Sequence, residues 1–197
     1  MTPVDLPDIK NITISGRIAS GTTTLANNLK KELEWELLEG GELFGKFHEE
    51  HLNDKSELAV SKRPDSIDLE YEEMVKKMLR ENSHQIVQSH LAGFDAQGIP
   101  GVFKILVACE DANGEDKIDI RIDRLVNRKG IHVDDAKHEI RVREKSNLEK
   151  WRRMYAGDDQ NWVYWDPKYY DLVVNTYSHN PEESLNLVLQ HLGYKKS

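Results

Sequence analysis

An α/β architecture, a parallel sheet covered by helices on both faces, is the fold class this sequence predicts, and three observations predict it. Short apolar runs of strand length alternate with segments of helical spacing along the chain, the pattern of strand–crossover–strand units. The first of these units carries a Gly-rich loop at its strand-to-helix turn. The 197 residues are enough for one domain with a substantial core and small lobes upon it.

The elements follow in order. Residues 1–10 form a Pro-containing, loosely held lead-in. Ile12 and Ile14 suit a short buried strand, and Leu25, Leu29 and Leu33 give the stretch from Thr22 the spacing of a helix. Trp35 to Leu38 reads as a second strand. Gly40-Gly41 then punctuates, and Glu42 to His51 reads as a helix with Leu43, Phe44 and Phe47 on one side. Residues 53–64 are polar and are expected to be irregular or partly helical. Asp65 opens a strong helix whose apolar positions are Leu69, Met74, Met78 and Leu79. Gln85 to Gln88 and Val102 to Val107 are further strands, separated from the next helix by an acidic loop at Asp111 to Asp116. Ile118 to Arg128 is a helix with Gly130 as its C-terminal cap. A long basic helix is expected from about Val133 to Tyr155, then an aromatic-rich loop, Asn161 to Tyr170, packed on the body. Asp171 to Asn175 supplies the fifth strand and Pro181 to Leu192 the last helix, with proline in its first turn. No internal repeat is evident.

Charge and cysteine content narrow the function classes. With 27 basic against 35 acidic residues the net charge is −8, which argues against general nucleic-acid or membrane-surface binding while leaving room for a local basic site. Cys109 is the only cysteine, which excludes an intramolecular disulfide and a cysteine-based zinc site. The sequence shows neither a basic-then-apolar leader nor a membrane-length apolar run, so a cytoplasmic protein without membrane or nucleic-acid partners is expected, acting as a monomer on small molecules.

The loop Gly16-Arg-Ile-Ala-Ser-Gly21-Thr-Thr-Thr24 matches a phosphate cradle in its two glycines and in the hydroxyl at Thr23, but has Thr22 where lysine is usual. Glycines let backbone wrap a phosphate, successive N–H groups point inward, and the helix N-terminus adds partial positive charge. The plain alternative is a Gly-rich turn before an ordinary helix. A second feature favours the phosphate reading: Arg121, Arg124 and Arg128 share one helix face, and Arg141, Arg143, Lys145, Lys150, Arg152 and Arg153 follow. A clamp on a transferring phosphoryl group uses such cations; a solvated face balanced by Asp123, Asp134, Asp135, Glu139 and Glu144 would also account for them. Together these features predict a P-loop doubly wound fold.

Several segments taken together resemble the archaeal-type cytidylate kinases: the Gly16-to-Thr24 loop, Gly41-Glu-Leu-Phe, Arg121-Ile-Asp-Arg-Leu-Val-Asn-Arg-Lys-Gly-Ile, Arg143-Glu-Lys-Ser-Asn-Leu-Glu-Lys and Tyr170-Asp-Leu-Val-Val-Asn-Thr. The resemblance runs from about residue 11 to about 190. It implies a nucleoside monophosphate kinase: a five-stranded core, a helical lid at about 118–155 and a monophosphate-binding lobe at about 41–84, using ATP and Mg²⁺. It places Gly16, Ser20, Gly21, Thr22, Thr23 and Thr24 around the ATP phosphates, with Thr23 on the metal. Arg124 and Arg128 match lid-side cations, and Arg143 with Lys150 match the pair that grips the transferring group. The acceptor-side positions are Gly41, Lys46, Asp68, His90 and Gly93, with Asp68 on its helix read either as a reader of a base amino group or as a plain solvated carboxylate.

Two positions depart from the family pattern. Gly45 and His90 stand where arginines would hold the monophosphate, so Lys46, Lys62, Arg63 and a protonated His90 become candidate replacements. The departures keep two alternatives open: a related kinase with another acceptor, and a nucleotide-binding protein without catalysis. Smaller signals are weaker. His48 and His51 have metal-ligand spacing but no third ligand, and Trp35, Trp151, Trp162 and Trp165 read as packing residues or lid edges.

Overall fold

The computed structural model describes residues 2–52 and 63–194, with the backbone alone for 48–52. Five strands form one sheet: β1 (Asn11–Gly16), β2 (Glu36–Glu39), β3 (Gln85–Gln88), β4 (Val102–Ala108) and β5 (Leu172–Asn175). Their order is β2-β3-β1-β4-β5, and every pairing is parallel. All six residues of β1 are buried, as a central strand covered on both faces requires. Parallel strands need crossovers, and the helices supply them: α1 (Thr22–Leu33), α2 (Gly40–Leu52), α3 (Asp65–Glu81), α4 (Ala92–Asp95), α5 (Ile118–Lys129), α6 (Val133–His138), α7 (Glu144–Tyr155) and α8 (Pro181–His191).

One face of the sheet packs Ile12, Ile14, Ile86 and Ile105 against Leu25, Leu29 and Leu33 of α1 and Val188 of α8. The other face packs Val87 and Val102 against Val75 and Leu79 of α3 and Ala92 of α4. Smaller clusters lie at the carboxyl edge. Ile18 joins Ile122, Leu125 and Ile140, and Trp151, Trp162 and Tyr164 form an aromatic body with Leu91. Because α1 and β2 lie to one side of β1 and β4 to the other, a crevice opens beyond the carboxyl end of β1. That is where open α/β sheets bind ligands.

Two expectations are corrected. The long helix from Val133 to Tyr155 is broken by a π-helical turn at Glu139–Arg143. The extra residue there sets Ile140, Glu144 and Asn147 on the inner face and leaves Arg143 outside. On α3, Leu69 is 49% exposed whereas Asp68, Glu72 and Val75 are buried. The inward face of that helix is polar in its first two turns because cations and hydroxyls from elsewhere in the chain meet it. The irregular stretch expected at 53–64 lies, up to residue 62, outside the described residues, as do Lys62 and the side chains of His48 and His51. No helix of the described residues is long and apolar enough to cross a membrane.

Candidate active site

The loop between β1 and α1 is shaped by its two glycines. A Cβ at Gly16 would lie 2.5 Å from Ser20 Oγ, 2.6 Å from the Val107 carbonyl oxygen and 2.7 Å from Thr22 Cγ2, so no other residue fits without moving backbone. Gly21 has φ 115° and lies against Thr176, a conformation that L side chains rarely adopt. No side chain caps α1, which leaves its first N–H groups directed into the loop. Ser20 is 1% exposed, and its hydroxyl has no protein partner. An orphaned hydroxyl inside a cradle that a methyl group would fill is what a bound phosphate completes, and Thr23 stands half-buried at the mouth. Thr22, at the usual lysine position, is buried and accepts a hydrogen bond from Gln88 Nε2 at 3.3 Å. The loop residues thus fit a nucleotide phosphate with its magnesium ion.

A cleft of about 810 Å³ adjoins the loop, bounded by Gly21, Thr23, Thr24, Arg124, Arg128 and Asn180. Arg124 forms its wall by donating to Thr176 Oγ1 and to the Thr176 carbonyl, both at 2.8 Å, and to the Ser20 carbonyl at 3.3 Å. Thr176 in turn donates to the Ser20 carbonyl at 2.5 Å. Arg124 therefore ties α5, the end of β5 and the phosphate loop together, while Arg128, one turn on, is exposed at the cleft.

Behind the loop lies an ion network. Arg121 is 0% exposed and donates to Glu144 at 2.9 Å, to Asp116 at 2.8 Å and to the Ile18 carbonyl at 2.7 Å. Glu144 also accepts from Arg17 Nε at 2.8 Å and from the Ile18 N–H at 3.2 Å. The Arg17 guanidinium lies over Trp165 at 4.6 Å. Burial pushes the Glu144 carboxyl upward, but the hydrogen bonds and charge of Arg121, with those of Arg17, outweigh it and hold the group below its ordinary range. Arg121 and Glu144, which look like parts of a cation face and a solvated acid in sequence, are one buried pair. Their spacing gives no hint of this, since 23 residues separate them.

The other side of the crevice holds the acceptor candidates, and the structure scatters them. Lys150 is 3% exposed; its ammonium group donates to the Asp68 carboxylate and to the Arg63 carbonyl, the latter at 2.8 Å. Arg63 pairs with the same Asp68 at 2.6 Å and stacks on Phe44. Arg143 is exposed and bonds Glu139 at 3.0 Å, away from Lys150. Gly41 and Lys46 are exposed on α2. Gly93 lies beneath the Tyr170 ring, its N–H donating to Ser15 Oγ at 2.9 Å. His90 sits among Trp151 and Tyr164, with Nδ1 2.9 Å from the Gly16 carbonyl, which fixes that nitrogen as the protonated one. Burial pushes its pKa down, which favours the neutral ring over the imidazolium that a phosphate ligand would need. Three polar groups near this edge were not singled out from sequence: Asn147, buried with Oδ1 unpaired; Glu72, bonded by the Tyr155 hydroxyl; and Asp95, buried. Among the described residues no group of three metal ligands occurs.

A phosphate-cradling loop at the carboxyl end of the central strand, flanked by an arginine-walled cleft, defines a P-loop kinase. Solved structures agree on the fold. A shikimate kinase from Bacteroides thetaiotaomicron superposes with a TM-score of 0.56 at 14% identity, covering 93% of this chain and 98% of its own. A gluconokinase from Sinorhizobium meliloti gives 0.55 at 13% identity, covering 93% and 91%. Within that class, the chain belongs to the cytidylate kinase-like family, whose model matches residues 11–178. It is similar to the cytidylate kinase of Methanosarcina acetivorans, 29% identical over 90% of this chain and 93% of the relative. That of Ignicoccus hospitalis is 30% identical over 92% and 98%.

Proposed function

We propose that this kinase transfers the γ-phosphoryl group of ATP to a nucleoside monophosphate, with CMP or dCMP as the first candidate. The loop carries this reading: Gly16 and Gly21 give a backbone cradle, and the Ser20 hydroxyl inside it is unpaired. Gly16, Ser20, Gly21, Thr22, Thr23 and Thr24 hold the donor phosphates, and Thr23 offers its hydroxyl to the magnesium ion. When bound, that ion supplies charge neutralisation at the phosphoryl oxygens. Arg124 fixes the wall of the donor cleft, and Arg128 at its rim is placed to reach the phosphates on closure of the α5–α7 segment. Closure would exclude water, which strengthens every charge contact inside.

A second reading is favoured by one observation. Lys150 and Arg63 are both engaged by Asp68, and Gly45 and His90 bring no cation, so among the described acceptor candidates Lys46 is the cation left to meet a phosphate dianion. A kinase acting on another acceptor would satisfy that balance. An ADP-release assay with ATP and Mg²⁺ against the common nucleoside monophosphates separates the two. Turnover highest with CMP or dCMP is the expected result, and ATP binding without turnover of any monophosphate would favour the second reading.

A further inference from the structure

A phosphate cradle works only if its carbonyl oxygens face away from the anion, since a carbonyl turned inward repels what the N–H groups attract. In this loop several carbonyls are tied down by named donors. The Ile18 oxygen accepts from Arg121 at 2.7 Å, and the Ser20 oxygen from the Thr176 hydroxyl at 2.5 Å. The Arg17 oxygen accepts from the Ser20 N–H and the Gly21 oxygen from the Leu25 N–H, both at 3.1 Å. The first carbonyl of the loop, that of Gly16, lies 2.9 Å from Nδ1 of His90. A carbonyl oxygen only accepts, so the ring nitrogen donates.

The sheet puts His90 within reach of that carbonyl. β3 runs parallel to β1 with Ile14 opposite Gln88, so the residues just past the end of β3 lie alongside the end of β1. The ring is held there from two sides. Trp151 of α7 packs on it with ring centres 5.7 Å apart and Tyr164 with centres 5.8 Å apart, and both neighbours are buried. The Tyr164 hydroxyl lies 3.3 Å from the same Nδ1. An arginine would be long enough to pass this point towards a ligand. The histidine side chain is short, and its Nδ1–H is spent on the loop.

We propose that His90 is a positioning residue of the donor loop rather than a ligand of the acceptor, its Nδ1–H holding the Gly16 carbonyl out of the cradle. Because a carbonyl and the next N–H of a trans peptide point opposite ways, the same bond fixes the direction of the Arg17 N–H. This rests on the loop being the donor-phosphate site. Losing the bond should raise the Kd for ATP about tenfold, the scale of one hydrogen bond. Asparagine presents an amide N–H near the place of Nδ1 and should keep ATP affinity within about threefold of the parent. Glutamine presents it one bond further out, near the place of Nε2, and leucine presents none. The KM for CMP should stay within about twofold in every variant, whereas removal of an acceptor-phosphate ligand would raise it.

The test is calorimetry of ATP with the parent, His90→Asn, His90→Gln and His90→Leu, steady-state kinetics for CMP in the same proteins, and the ring ¹⁵N spectrum of the parent. The expected result is ATP affinity lost in His90→Leu and His90→Gln but kept in His90→Asn, with His90 as the Nδ1–H tautomer. A ring that served packing alone would make asparagine as harmful as leucine. Unchanged ATP affinity in His90→Leu, an equal loss in His90→Asn, or a raised KM for CMP with ATP affinity intact overturns the assignment and leaves the donor reading standing. So does an Nε2–H tautomer in the parent, which requires no variant to fold. A parent that binds no ATP overturns both.

Discussion

Glu144→Gln should cost the protein both stability and nucleotide affinity. The carboxylate serves two guanidinium groups and one loop N–H, and Arg121 beside it has no contact with solvent. Removing one charge from a buried pair costs about 3–5 kcal/mol, because the partner is left uncompensated. Here Asp116 still holds Arg121 at 2.8 Å and glutamine keeps one acceptor oxygen, so the low end, about 3 kcal/mol, applies. For a domain of this size that lowers Tm by about 6–12 °C. Because Ile18 and Arg17 belong to the phosphate loop, ATP affinity measured by calorimetry should fall as well. The surface pair Lys145–Glu149, at 3.8 Å, is the control, and Glu149→Gln should leave Tm unchanged. The pH dependence has a definite sign. The folded-state pKa of Glu144 is depressed, so its stabilisation is present above the ordinary carboxylate pKa and is lost as pH falls through the folded value. The mutant should therefore show a shallower loss of Tm on acidification than the parent. A Tm within about 2 °C of the parent, on the same scaling, would refute the network as a support of the loop.

Three further outcomes are expected. Gly16→Ala forces a methyl group to within 2.5–2.7 Å of Ser20, Val107 and Thr22, so ATP affinity by calorimetry should drop about 5–150-fold, and unchanged affinity would remove the loop from the donor site. Gly45 has open space where its Cβ would be, so Gly45→Arg should fold normally and lower the KM for CMP by about tenfold through a charge-assisted contact; an unchanged KM would place α2 away from the acceptor phosphate. Amide hydrogen exchange over residues 118 to 145 should slow when an ATP analogue binds, and equal protection with and without it would count against a lid.

The fold was legible because it depends on patterns that many residues share. The apolar runs of all five strands, the spacing of α1 and the Gly130 cap of α5 are local signals, and each element formed within a residue or two of its expected bounds. Helix α3 shows where such patterns fail. Leu69 has the right spacing for a core position, yet it faces outward because Asp68 and Glu72 are drawn inward by Lys150 and Tyr155 from α7, some 80 residues away in the chain. The π-helical turn is hidden for a similar reason. Nothing in Glu139 to Arg143 announces the extra residue, and it becomes intelligible only once Glu144 is seen bound to Arg17 and Arg121.

The site divides the same way, and the division follows from what each half is made of. The phosphate loop is built from backbone, so its requirement is written into the sequence as glycines at a fixed spacing, and the orphaned Ser20 hydroxyl lies where that spacing directs. The acceptor side is built from side-chain charges whose availability depends on their partners. Lys150, Asp68 and Arg63 read in isolation as one phosphate ligand, one base reader and one spare cation. Brought within hydrogen-bonding distance they largely neutralise one another, and what remains for a ligand is a different set. Among the described residues that set includes the unpaired Asn147 oxygen and the Arg63 Nε, which has no acceptor. Sequence shows which charges a chain owns; only the fold shows which of them are already used. An acceptor assignment therefore has to start from the groups left without partners, which among the described residues include a neutral amide oxygen, Asn147 Oδ1, and one guanidinium N–H, Arg63 Nε.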